Sequence, residues 1–179
     1  MADMDVLNQM IKDIAKISLQ DHYDRKKVVL IEHGTTDSSL ELHNVPNDAI
    51  VIDIDSNFNN GKIFSNSKGE CKRADYIIVS EEKKVVVFIE MKKGASDTSD
   101  IIKQLKGSFC LFKYCQIVAS DFFGQADFMS SYSLRFVAFK HVNLEKRKTR
   151  ITRYTASHDK PEDLMRISWA STIQFTKII

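Results

Sequence analysis

The sequence predicts an α/β fold, a three-layer α/β/α sandwich around a mixed central sheet. Three observations carry that expectation. A helical stripe at the start leads into a group of strands, a second helical stripe follows, and further apolar strands come after it; helices interleaved with strands in this way build layered α/β domains. The runs Tyr76 to Val79 and Val85 to Ile89 are apolar on both faces, as strands covered on both sides are. The chain has 179 residues, 43% of them hydrophobic, the size of one domain with a proper core. Residues 1–179 are therefore expected to form a single domain.

Taken in order, Met4 to Leu19 is predicted as a helix, because Val6, Met10, Ile14 and Ile17 recur at helical spacing with Ile11 widening the stripe. The polar cluster DHYDRKK ends it. Val28 to Ile31 reads as a short strand stopped at Glu32-His33-Gly34, and Thr35 to Asp48 as a polar loop containing Pro46. Ala49 to Ile54 is the next strand. Ser56 to Gly69 is rich in turn formers, and Asn60-Gly61 suggests a hairpin within it. The two central runs are β-branched and aromatic, with SEEKK between them, which reads as a β-hairpin.

A second helix is predicted from Ser99 to Gln116. Ile101, Ile102, Leu105, Phe109 and Phe112 form its stripe, Asp97, Thr98 or Ser99 its cap, and Gly107 is a minor cost inside it. Leu134 to His141 is the next buried strand, with Thr149 to Tyr154 as its partner across a turn at Leu144 to Arg147. Pro161 with Glu162-Asp163 is expected to begin a short helix through Trp169, and Ile173 to Ile179 to add an edge strand.

Composition narrows the function classes. A formal net charge of +2 is too small to argue for nucleic-acid binding by itself. Cys71, Cys110 and Cys115 lack metal-ligand spacing and leave one unpaired, so reduced thiols are expected and a four-cysteine iron–sulfur cluster is not. The five histidines form no HxxxH or HxH pair, which leaves zinc unsupported. There is no glycine-rich phosphate loop and no G-x-S-x-G elbow. No apolar run is long enough to span a membrane, and the start MADMDVLNQM lacks leader character. A soluble, cytoplasmic protein with no membrane partner is expected.

The chemistry concentrates between Cys71 and Gly94, in CKRADYIIVSEEKKVVVFIEMKKG. Asp75 opens one strand of the hairpin, and Glu90-Met91-Lys92 closes the other. Facing positions in an antiparallel pair add to a constant, and an even turn at SEEKK makes that constant 165. Asp75 then faces Glu90, with Cβ atoms about 4.5–5.5 Å apart. Lys92, two residues on, projects from the same side. A slip by one residue would send the two carboxylates to opposite faces. Two carboxylates this close repel when ionised, and a divalent cation resolves the repulsion. Oxygen ligands favour Mg²⁺ or Mn²⁺ over zinc. With Lys92 to orient a water or to stabilise charge building on a phosphate, the set suits phosphodiester hydrolysis.

Asp75 followed by Glu90-x-Lys92 on the next strand resembles the signature of the PD-(D/E)xK nuclease superfamily, whose fold is restriction-endonuclease-like. The polar break at Gly94 to Ser99, the helix and the strand after it fit the same pattern, over roughly Lys72 to His141. Two positions depart from it: Ala74 stands where a proline is usual, and Ser108 stands four residues after Gln104, where one branch carries tyrosine. The resemblance implies a metal-dependent nuclease. Asp75 and Glu90 would be metal ligands, Met91 would offer its carbonyl oxygen, Lys92 would be catalytic, and Gln104 would support the site or touch substrate.

Around this core, Lys72, Arg73, Lys103 and Lys106 are candidate phosphate contacts, as are Lys146, Arg147 and Lys148 in the basic run EKRKTRITR. Lys113, Arg150 and Arg153 extend the positive charge, and Glu32, Asp53 or Asp55 could supply a further acid. The expected partner is nucleic acid, with DNA ahead of RNA, cut by a homodimer or by one component of a larger system. Two other readings stay open: a catalytically silent nucleic-acid-binding module on this fold, and a partner-binding α/β protein in which the acids and the lysine form a salt bridge.

Overall fold

The structure is a computed structural model and describes residues 1–32, 38–92, 94, 97–140 and 157–179. The described residues form a mixed α/β fold of two sheets and two α-helices. The larger sheet orders its six strands as β1 (Lys16–Ile17), β5 (Ile50–Asp53), β6 (Tyr76–Ser80), β7 (Val85–Lys92), β8 (Ser133–Lys140) and β9 (Met165–Ser168). Neighbours from β1 to β7 are antiparallel, whereas β8 and β9 add parallel. The smaller sheet runs β10 (Thr172–Gln174), β4 (Ser39–Val45), β3 (Arg25–Ile31) and β2 (Gln20–His22), with only the β10–β4 pair parallel.

Alternation along the central strands sorts their side chains between two cores. Ile77, Val79, Val86, Phe88, Phe136 and Ala138 pack beneath the helices α1 (Asp3–Met10) and α2 (Thr98–Phe123). Tyr76, Ile78, Val85, Val87, Ile89, Val137 and Phe139 face Val28, Leu30, Leu40 and Leu42 of the smaller sheet. Both faces of β6 and β7 are thus covered, as their composition requires. The second cover is a sheet, where an α/β/α sandwich would place helices.

That difference begins at residues read as loop. Thr35 to Asp48 contains β4, in which Leu40 and Leu42 point inward and Glu41 and His43 outward, an alternation too short and polar to stand out. DHYDRKK is likewise the β2–β3 hairpin. Tyr23 turns its tip at φ 54°, and the outward charges are paired, Lys26 with Asp21 at 2.5 Å and Lys27 with Glu41 at 3.1 Å.

The first helix stops at Met10, well short of Leu19. Val6 and Leu7 already fill its buried face, and Ile11 is extended at φ −94°, ψ 126°. Ile14 is left 81% exposed, and Lys16–Ile17 pairs instead with Val51–Ile52 at the sheet edge. Asn60-Gly61 forms a turn without paired strands beside it; the Glu70 carboxylate gathers this loop by accepting the N–H groups of Ser67 and Lys68.

The second helix runs longer than predicted, from an Asp97 cap to Gly124, whose left-handed φ of 66° ends it. The helix expected from Pro161 to Trp169 is a 3₁₀ turn at Pro161–Asp163 followed by β9, and the Ile173–Ile179 strand is only β10 and a 3₁₀ turn burying Phe175. The strand predicted at Thr149 to Tyr154 lies outside the described residues.

Candidate functional site

The hairpin has the even turn the site needs. Tyr76 faces Ile89 and Ser80 faces Val85 across a four-residue loop, so Asp75 and Glu90 stand opposite one another at the open end. The loop is fixed by Asp48, whose carboxylate accepts from Ser80 Oγ at 2.9 Å and from the N–H groups of Glu81 and Glu82 at 2.6 and 2.8 Å. Lys84 takes the left-handed conformation, φ 47°, that closes it. A turn anchored at this many points resists the register slip that would separate the two carboxylates.

Asp75, Glu90 and Lys92 share the face of Ile77, Val86 and Phe88, beneath the helices. Asp75 Oδ2 accepts the backbone N–H of Met91 at 2.6 Å, which locks the end of β6 to the end of β7. Lys92 Nζ lies 2.8 Å from Glu90 Oε1. That contact is an ion pair without hydrogen-bond alignment, since among the described residues neither Glu90 oxygen has an aligned donor although the side chain is 0% exposed. Burial, and then the charge of Asp75, hold the Glu90 carboxyl well above the usual carboxylate range, and Lys92 offsets this only in part. Burial also pulls on the Lys92 ammonium, but Glu90, Asp75 and Glu32 more than compensate and keep it a cation.

Helix α2 positions this end of the hairpin through two residues to which sequence reasoning gave no such role. Ser108 Oγ accepts the N–H of Ala74 at 2.7 Å, beside Asp75 in the chain. Gly107 lies so close to the preceding residues that a Cβ there would sit 1.7 Å from the Lys72 carbonyl oxygen. The signal for both was present in the departure at Ser108 and in a glycine inside a strong helical stripe, but neither named its partner. Gln104, on the same helix one turn before Ser108, has a buried Oε1 that finds no hydrogen-bond partner among the described residues.

The other predicted residues are distributed more widely. Asp53 faces Tyr76 on the opposite side of the sheet and accepts from Ser56 N at 3.1 Å. Asp55 holds Arg73, which donates Nη2–H to the Asp55 carbonyl at 2.9 Å and pairs with its carboxylate at 3.2 Å. Arg73 therefore turns toward Asp55. Lys72 is paired with Asp100, and Lys106 with Glu162 at 2.5 Å. Lys103 and Lys113 are exposed, while Lys146, Arg147, Lys148, Arg150, Arg153 and His33 lie outside the described residues. Glu32 is buried, and the neighbouring Ile31 is clamped by Tyr76 Oη, which donates to its carbonyl at 2.6 Å and accepts its N–H at 3.0 Å.

Among the described residues no three His, Cys, Asp or Glu side chains converge as a metal-binding group. A cation here would have two carboxylates and the Met91 carbonyl, with water completing the shell, a composition suited to Mg²⁺ or Mn²⁺. The Glu90 carboxylate fits such an ion, being fully buried, beside a second carboxylate and without aligned donors. No described helix is long and apolar enough to cross a membrane. Comparison with protein-family models, with curated proteins and with solved structures finds no match to this chain.

Proposed function

We propose that this chain is a divalent-metal-dependent nuclease that hydrolyses phosphodiester bonds, with DNA ahead of RNA as substrate, on a restriction-endonuclease-like fold. The observation that carries the reading is the Glu90 carboxylate, buried without an aligned donor opposite Asp75 and 2.8 Å from Lys92. An ionised carboxylate in that setting costs several kcal/mol, and Lys92 offsets burial and the charge of Asp75 only in part. The fold reading is supported by element order: three antiparallel strands β5–β6–β7, then α2, then β8 parallel to β7.

In this reading Asp75, Glu90 and the Met91 carbonyl hold Mg²⁺ or Mn²⁺. The bound cation supplies a Lewis acid toward the phosphoryl oxygen and lowers the pKa of water. Lys92 orients the attacking water, or donates to the phosphate oxygen as negative charge builds there. The Asp75–Met91 hydrogen bond keeps the first carboxylate turned toward the second. Ser108 holds the chain just before Asp75, which makes it a positioning residue.

The reading is tested by incubating the chain with plasmid, linear duplex, single-stranded DNA and RNA, with and without Mg²⁺. Cleavage that requires Mg²⁺ and disappears in Asp75→Ala and Lys92→Ala supports it. A second reading rests on the Lys92–Glu90 ion pair, which by itself would make the cluster a structural salt bridge. Nucleic-acid binding without cleavage would leave a silent binding module, and neither binding nor cleavage would leave the salt bridge.

A further inference from the structure

Helix α2 buries one side and presents the other. Ile101, Leu105, Ser108, Phe112 and Ala119 form its buried line. On the opposite side, Cys110, Tyr114, Ile117 and Asp121 follow one another at alternating spacings of four and three residues, and all are exposed. Tyr114 is 61% exposed and Ile117 57%, with Val118 half-buried beside them. A surface helix ordinarily carries polar groups on that side. Apolar groups at this spacing are the seam along which one helix packs against another.

The charges of this side are divided along the helix. Lys106 and Lys113 precede or flank the apolar seam, while Asp121 and then Asp127 follow it. A parallel pairing with a second copy would set lysine on lysine and aspartate on aspartate, which repel. An antiparallel pairing about a two-fold axis sets them together. The seam maps onto itself when facing positions add to 231, so that Cys110 faces Asp121 and Tyr114 faces Ile117. Ile117 of each copy then enters the hole between Cys110, Lys113, Tyr114 and Ile117 of the other, the four-residue hole of helix pairing. Asp121 arrives within one turn of Lys113 of the other copy. The contact is self-complementary, as a two-fold interface must be.

We propose that the outer face of α2, from Cys110 to Asp121, is the docking surface for a second copy of this chain, paired antiparallel through Tyr114 and Ile117 and held in register by Lys113 and Asp121. The inference does not depend on the nuclease reading. The buried line of α2, including Ser108 beside the acidic pair, lies on the far side of the helix and keeps its contacts in the dimer. The seam is about 18 Å long, at the small end of specific interfaces, so association is expected in the range of about 1–100 µM.

The test is sedimentation equilibrium of the full chain across that concentration range at low salt, with circular dichroism to show that each variant is folded. The average mass is expected to rise from 20.5 kDa toward twice that value. Ile117→Glu, which sets carboxylates into the centre of the seam, should raise Kd about ten-fold or more. Lys113→Glu and Asp121→Lys should each raise it about five-fold, and the double variant should return it to within about two-fold of the unaltered chain. Tyr23→Asn, at a residue 93% exposed on the β2–β3 hairpin, should leave Kd unchanged. A chain that stays monomeric to about 200 µM, or a dimer that Ile117→Glu leaves intact, would overturn the proposal. So would a charge-exchanged double variant that dimerises no better than either single one, because the antiparallel register requires the rescue.

Discussion

Ser108 Oγ accepts the backbone N–H of Ala74 at 2.7 Å, both groups buried, and so ties the middle of α2 to the residue before Asp75. Removing the hydroxyl leaves a buried N–H without its partner, which costs about 1–3 kcal/mol. Ser108→Ala should therefore lower denaturant stability by that amount. If the nuclease reading holds, it should also lower kcat more than it raises KM. Rescue by Ser108→Thr, which keeps the hydroxyl, separates loss of the hydrogen bond from loss of packing.

Gly107 gives a prediction of unusual sign. In a helix interior, Gly→Ala normally stabilises by about 1 kcal/mol. Here the added Cβ would meet the Lys72 carbonyl oxygen at 1.7 Å, and backbone cannot swing aside as a side chain can. Gly107→Ala should instead destabilise the fold by about 1–3 kcal/mol or more, read as a lower urea midpoint at unchanged slope.

Glu90 makes the metal-free protein pH-dependent. Its folded pKa is raised, by burial and then by Asp75, so the group contributes stability that is complete below its unfolded pKa. That contribution is lost as pH rises from the unfolded value through the raised folded one. Without divalent cation, Glu90→Gln should remove this loss, so that stability falls less between acid and neutral pH in the variant than in the unaltered protein. Thermal melts of both forms at acid and neutral pH in EDTA check it. Equal pH dependence in the two forms would show that Glu90 is not the group responsible.

Tyr76 links the two sheets through its paired hydrogen bonds to Ile31. Burial pushes its phenol from 10.0 up to about 12, with the Ile31 carbonyl opposing and nearby Asp53, Asp75 and Asp55 adding to the rise. Stability from this group is complete below the unfolded value and lost as pH climbs through about 12. Tyr76→Phe should cost about 1–3 kcal/mol and remove a late-titrating component from an alkaline absorbance titration.

The site was more legible in the sequence than the scaffold that covers it. Asp75, Glu90 and Lys92 follow from strand alternation and an even turn, both local rules, and the β6–β7 register agrees. The smaller sheet was not legible, because Lys27, Glu41 and His43 occupy its outward face and break the apolar pattern into single residues. The end of the first helix was misjudged for a related reason: Ile14 and Ile17 fit its stripe, yet pairing of Lys16–Ile17 with β5 takes the backbone instead. Ser108 and Gly107 act through contacts more than thirty residues away in sequence, which no local pattern encodes.

The central claim is tested most directly by Mg²⁺-dependent cleavage of DNA by the unaltered chain beside Lys92→Ala, with circular dichroism to show that both are folded. The account predicts cutting that EDTA abolishes, and a loss of about 10²–10³-fold in kcat for the folded variant. Undiminished cutting by folded Lys92→Ala, or no cutting of any nucleic acid by the unaltered chain with Mg²⁺ or Mn²⁺, would contradict it.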